Sequence, residues 1–226
     1  MNIKHPAFRL EKHIDLLVKR YPALEAARQD ILNSYLLMEE SYTNGGKLMI
    51  AGNGGSAADS EHIVGELMKG FALPRHIKSA FAEKLKSVHP EMGAILAENL
   101  QGTLPAIALD GHLALSTAFI NDCEPLLCFA QQVNGYGNAN DVFLGISTSG
   151  NSKNVLYAAM VAKAKGMKVI GLTGARESKL SELADACVRV PQTETYMVQE
   201  LHLPVYHCWC LMLEDKFFSD DNTVQA

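Results

Sequence analysis

A chain of 226 residues, 48% hydrophobic and 20% charged, is long enough to bury one sizeable core and too short for two full domains. Its net charge of −5 excludes a broad electrostatic footprint on nucleic acid or an anionic membrane, while leaving room for a small anion held at a local site. No run approaches the roughly 20 apolar residues of a bilayer span, and the opening MNIKHPAFRLEKH lacks the apolar centre of a signal peptide, so a cytoplasmic protein is expected.

Taken in chain order, residues 8–20 and 22–44 repeat apolar side chains at helical spacing, with Ile14, Leu17 and Val18 on one face and Leu32, Tyr35, Leu36 and Met38 around another. One small sheet cannot cover both stripes, so residues 1–44 are expected to be N-terminal helices that make a subunit interface, with packing inside the monomer as the competing reading. Short apolar runs at 47–51, 105–109, 142–146, 168–172 and 187–190 read as buried parallel strands. Helical segments separate most of them, which predicts an α/β, doubly wound parallel sheet over 45–218, with ligands outside the carboxyl ends of its strands. Residues 71–103 interrupt this alternation and predict one or two short helices over the site. Pro204 falls inside the last helix, where it removes a backbone hydrogen bond, and 219–226 reads as a tail. The five cysteines, Cys123, Cys128, Cys187, Cys208 and Cys210, have apolar neighbours and no CxxC spacing, so they are expected as reduced core residues.

The strand at 142–146 runs straight into STSGNS at 147–152, and a helix follows. A turn dense in N–H groups at a helix N-terminus attracts a phosphate, and the hydroxyls of Ser147, Thr148, Ser149 and Ser152 can donate to its oxygens. The competing reading is that these hydroxyls only cap the helix. GNGGS at 52–56 repeats the pattern after the first strand. It fits neither a dinucleotide fingerprint nor a P-loop, and instead lets a sugar approach the backbone at Gly54 and Gly55 beside Asn53 and Ser56. Beyond it, His62 and Glu66 share one helix face at i, i+4 spacing. Gln199, His202 and His207 recur on an apolar helical segment near the other end, where a histidine is either a satisfied core residue or a metal or acid/base group.

The blocks GNGGSAADSEHIVGEL, PAIAL, DVFLGISTSGNSKNV with GMKVIGLTG, and VQELH with a second His eight residues after its Gln resemble the phosphoheptose isomerases of the SIS (sugar isomerase) group. The likeness covers most of 45–215 apart from 71–103. It implies a flavodoxin-like five-stranded sheet, the SIS domain, and a homotetramer held by the N-terminal helices. It also implies interconversion of sedoheptulose 7-phosphate and D-glycero-D-manno-heptose 7-phosphate. In the site it implies Glu66 as base and His207 as acid/base partner, with zinc held by His62, Glu66, Gln199 and His207. Three departures touch the sugar end: Gly70 replaces an arginine with Lys69 beside it, His112 falls where an aspartate is usual with Asp110 two residues early, and 71–103 is longer than the usual link. They motivate an alternative, a non-catalytic SIS module that binds a sugar phosphate for regulation or protein docking.

Overall fold

The computed structural model describes residues 6–219, so all of the expected tail but Ser219 lies outside the described residues, as do positions 1–5 of the N-terminal segment. Helices α1 (Pro6–Arg20) and α2 (Arg28–Thr43), joined by a 3-10 turn at Pro22–Ala27, lead into β1 (Leu48–Ala51) and α3 (Gly55–Met68). A pair of short helices, α4 (Ser79–Val88) and α5 (Pro90–Asn99), precedes β2 (Ala106–Ala108), α6 (Leu113–Asp122) and α7 (Cys128–Tyr136). The chain then alternates β3 (Val142–Ile146), α8 (Lys153–Ala164), β4 (Lys168–Thr173), α9 (Lys179–Leu183) and β5 (Ala186–Arg189), and ends in α10 (Thr195–Phe218).

The five strands are all parallel in the order β2-β1-β3-β4-β5, so the direction of winding reverses between β1 and β3. At such a switch point the loops leaving the two strands diverge and open a crevice. Successive side chains of a strand face opposite ways, and the apolar runs divide accordingly. Leu48, Ile50, Leu144 and Ile170 pack with α1, α2, α3 and α10 on one face, whereas Met49, Phe143 and Val169 pack with α7, α8 and α9 on the other. The central strands β1 and β3 are buried along their whole length, as continuous rather than alternating hydrophobicity predicts.

The apolar stripes of α1 and α2 are covered inside this one chain. Ile14 and Leu17 lie under α10, and Ile31, Tyr35 and Met38 are buried, while Leu36 faces outward. Trp209 Nε1 donates to the Ile31 carbonyl at 3.0 Å and ties α10 to α2. Helix α10 thus supplies, within the chain, a cover for most of both stripes that a count of strands does not foresee. Segment 71–103 does form two helices, but α4 and α5 pack on each other and bury no side chains. They form a hairpin on a stalk closed by an isolated bridge between His76 and Gln101, rather than a cover packed onto the sheet. Helix α10 continues through Pro204. All five cysteines are free thiols; Cys128, Cys208 and Cys210 are buried and Cys187 partly so, but Cys123 is exposed at the end of α6.

Candidate active site

The two Gly- and Ser-rich turns meet at the switch point. Asn53 Nδ2 donates to Asn154 Oδ1 at 3.0 Å and Asn154 Nδ2 donates back to Asn53 Oδ1 at 2.8 Å, a reciprocal amide pair joining the β1–α3 turn to the start of α8. The Asn53 amide, expected to face a sugar, is thus engaged in bracing the two loops. Gly54 stands at the N-cap of α3, and Ser56 is buried behind the turn. Gly55 is where Gln199 of α10 crosses: a Cβ there would lie 2.6 Å from Gln199 Nε2, so only glycine lets that amide lie over the helix start.

In the β3–α8 turn the hydroxyls are not consumed by capping. Ser152 occupies the N-cap of α8 yet makes no side-chain cap bond, and its Oγ lies 3.0 Å from Ser147 Oγ. Ser149 Oγ accepts from Asn151 N at 3.2 Å, and Gly150 turns the chain at φ +64°. Thr148 and Ser149 line a polar cleft of about 160 Å³ whose other walls include Arg176 from the turn after β4, Gln192 and Thr193 ahead of α10, and Thr195 at its start. These wall residues carry no sequence pattern of their own; they are found only because β4 lies beside β3. A larger hollow of about 380 Å³ beside α6, α7 and α8 is lined mainly by apolar groups, among them Phe119, Leu127 and Met160, and holds none of the expected site residues.

The titratable groups gather where α3 crosses α10. His62 Nε2 is 3.2 Å from Glu66 Oε1 and 3.4 Å from His207 Nε2. The second oxygen of Glu66 is 3.5 Å from Lys69 Nζ, so a cation stands beside this carboxylate although Gly70 has no side chain to offer. Burial first, then the neighbouring His62, holds His207 below the ordinary histidine value, which keeps it neutral at pH 7. Phe71 packs on the His207 ring at 5.3 Å. Its loop is fixed by Glu214 of α10, whose oxygens accept from the backbone N–H groups of Phe71, Ala72 and Leu73 and from Arg75 Nε at 2.8 Å. Arg75 in turn donates to the carbonyls of Glu66 and Leu67, closing the carboxyl end of α3 onto α10. Tyr206 and Asp59, neither marked out by the sequence, complete the crossing: Tyr206 Oη is 3.1 Å from Asp59 Oδ1 and 3.1 Å from His62 Nδ1.

Two expected neighbours lie differently. His202 is fully buried with neither ring nitrogen hydrogen-bonded, so it is a core histidine but not a satisfied one. His112 packs near Tyr136 with ring centroids 5.9 Å apart, whereas Asp110 has a buried, unpartnered Oδ1 and is pushed up to about 6 by burial. Histidine nitrogens and a carboxylate are zinc-type donors, and contacts of 3.2 and 3.4 Å compare with an edge of about 3.3 Å between ligands on a tetrahedral zinc. The donor set therefore fits a zinc ion, though among the described residues no three His, Cys, Asp or Glu side chains stand ready as a closed metal site. The contacts run pairwise through His62.

A doubly wound sheet with two polar loops at its switch point and a histidine–carboxylate cluster where α3 crosses α10 defines a SIS-type sugar-phosphate domain, and the SIS domain family matches residues 87–174. Similarity extends further along the chain. A phosphoheptose isomerase from Aneurinibacillus thermoaerophilus is 37% identical over 79% of this chain and 77% of its own length, and phosphoheptose isomerase 2 of Campylobacter jejuni is 38% identical over 83% and 81%. The structure of phosphoheptose isomerase GmhA from Neisseria gonorrhoeae superposes with a TM-score of 0.69 at 29% identity, covering 92% of this chain and 98% of that one. The chain belongs to the phosphoheptose isomerase family and is a sugar-phosphate isomerase.

Proposed function

We propose that the enzyme interconverts sedoheptulose 7-phosphate and D-glycero-D-manno-heptose 7-phosphate, with Glu66 and His207 moving the protons. The observation that carries this reading is the meeting of Glu66, His62 and His207 at the α3–α10 crossing, on the helix that the β1–α3 turn begins. Aldose–ketose isomerisation transfers a proton between C1 and C2 through an enediolate. Glu66 takes the proton from C1 of the ketose and returns it to C2. Neutral His207 shuttles a proton between the two oxygens, and Lys69 offsets the negative charge near Glu66. Ser147, Thr148, Ser149 and Ser152 hold the phosphate with the N-terminus of α8, so the reacting carbons are presented at a fixed distance from it. A zinc ion held by His62, Glu66, Gln199 and His207 would act as a Lewis acid toward the sugar oxygens.

The same reading includes a homotetramer in the cytoplasm, which sedimentation and fractionation test. Among the described residues no helix is long and apolar enough to cross a membrane. The deciding experiment follows ketose consumption and C1/C2 proton exchange by NMR in wild type and Glu66→Gln. The variant should keep its fold and lose turnover by about 10²- to 10⁴-fold. Unchanged turnover would remove Glu66 from the chemistry, and exchange with a different ketose phosphate only would replace the heptose.

A further inference from the structure

We infer that Tyr206 is a positioning residue that fixes the tautomer of His62, so that the Nε2 lone pair of His62 faces Glu66 and His207. The inference rests on the reading of this cluster as the reacting centre, but its test does not need turnover. The argument is an inventory of protons. A phenol carries one, and the hydroxyl of Tyr206 has two partners, Asp59 Oδ1 and His62 Nδ1, each at 3.1 Å. An ionised carboxylate can only accept. Tyr206 therefore donates to Asp59 and must accept from His62, which places the histidine proton on Nδ1 and leaves Nε2 bare.

The opposite tautomer is the one that His62 would choose from Glu66 alone, because an Nε2–H could donate to Glu66 Oε1 at 3.2 Å and the pair would close on itself. That choice would turn the Tyr206 hydroxyl toward Nδ1 and cost Asp59 the hydrogen bond it receives from Tyr206. Bonds to a charged acceptor are roughly twice as strong as neutral ones, but that holds for Glu66 as well as Asp59. What separates them is their other partners: Glu66 keeps Lys69 at 3.5 Å, while Asp59, half-buried, has Tyr206. Tyr206 is itself 1% exposed and packs edge-on to His62 at 5.5 Å, so the phenol is held in place beside the more exposed imidazole.

The consequence lies at Nε2. With that nitrogen unprotonated, His207 Nε2–H can donate to it at 3.4 Å, but Glu66 Oε1 then faces a lone pair across 3.2 Å. Two acceptors so placed are short of one positive charge, whether a proton or a metal ion. The Asp59–Tyr206 pair thus keeps the cluster open to a cation that the other tautomer would exclude.

The test uses the metal-free full chain labelled with ¹⁵N-histidine, with His62 assigned by loss of its signals in His62→Gln. The wild type should show the proton on Nδ1, and Tyr206→Phe, which keeps the ring and removes the hydroxyl, should move it largely to Nε2. Zinc affinity measured by chelator competition should fall about 10- to 100-fold in the same variant. Asp59→Asn, whose amide can donate to the phenol oxygen and release its proton toward Nδ1, should shift the tautomer in the same direction even if Tyr206→Phe fails to fold. A proton on Nε2 in the wild type, or an unchanged tautomer and zinc affinity in the variants, would overturn the inference. A wild type with the proton on Nδ1 but no zinc binding upholds the tautomer and strikes the metal from the proposed function instead.

Discussion

In the β3–α8 turn, the hydroxyls suited to a phosphate all lie within residues 147–152 and bond among themselves, while the backbone of the turn is also held by residues 172–180. At the α3–α10 crossing, His62 and His207 meet across 145 positions, and what holds them together is a second pair of side chains, Arg75 and Glu214, separated by 139. The first half keeps its chemical groups in one short stretch of chain, braced by the neighbouring β4–α9 segment. The second exists only when two helices are set at one distance and rotation, so damage far from the reacting atoms can dismantle it. Substitutions that strike each half separately can therefore break this contrast.

The largest effect is expected at Glu214, which is 1% exposed and receives three backbone N–H groups and the Arg75 guanidinium. Glu214→Ala leaves Arg75 as an uncompensated buried charge, which costs about 3–5 kcal/mol. Denaturant titration should record that loss, and kcat should fall even under conditions where the variant is folded, because the Phe71 loop and the end of α3 are released. A stability loss under 1 kcal/mol would mean that the crossing is held by apolar packing alone.

Next comes His202, also on α10, held down to about 4 by burial; the Thr173 backbone opposes this only in part, since neither ring nitrogen completes a hydrogen bond. The folded state keeps this ring neutral while the unfolded chain takes up a proton below about 6.5. Stability should therefore fall as the pH drops from about 6.5 toward 4, by about 3 kcal/mol across the window, with His13 and His207, also lowered by burial, adding to the same slope. His202→Leu should flatten the slope between pH 7 and 5 in chemical denaturation, and an undiminished slope would assign it to other groups.

In the local half, Gly150→Ala would force a Cβ to within 2.0 Å of Ser178 Oγ at a φ of +64°. Strain of this kind costs about 1–3 kcal/mol. The expected signature is a raised KM for the sugar phosphate with NMR signals of the α3–α10 rings unmoved. Disturbance of both regions together would show that the phosphate turn is not an independent unit.

How much of this could be read beforehand follows the same division. The strands and the 147–152 turn were legible because their signals, continuous apolar runs and a cluster of hydroxyls before a helix, are contiguous in the chain. Glu66, His62 and His207 became site residues in the sequence through resemblance to a family rather than through their spacing, which also suits core histidines. Tyr206 and Glu214 were not legible at all. On α10 the first reads as one more apolar position and the second as an ordinary surface charge, and each acquires its meaning from α3 or from residues 71–75. That α10 covers most of the α1 and α2 stripes was hidden for the same reason, since the covering helix is the last one of the same chain.

The smallest expected effect is also the one that joins the halves. The Asn53–Asn154 pair is exposed, so its two hydrogen bonds together contribute at most about 1 kcal/mol to stability. Its use is geometric: it fixes the spacing between the turn that starts α3, the helix carrying Glu66, and the turn proposed to hold the phosphate. Asn154→Ala should hardly change the melting temperature and should lower kcat several-fold at saturating substrate, because the phosphate still binds but presents C1 and C2 out of line with Glu66. Asn53→Ala should do the same, and the double substitution should be no worse than either alone, since both remove one shared bridge. If instead the two losses multiply, each amide meets the substrate separately, and the halves are coupled through the sugar rather than through the protein.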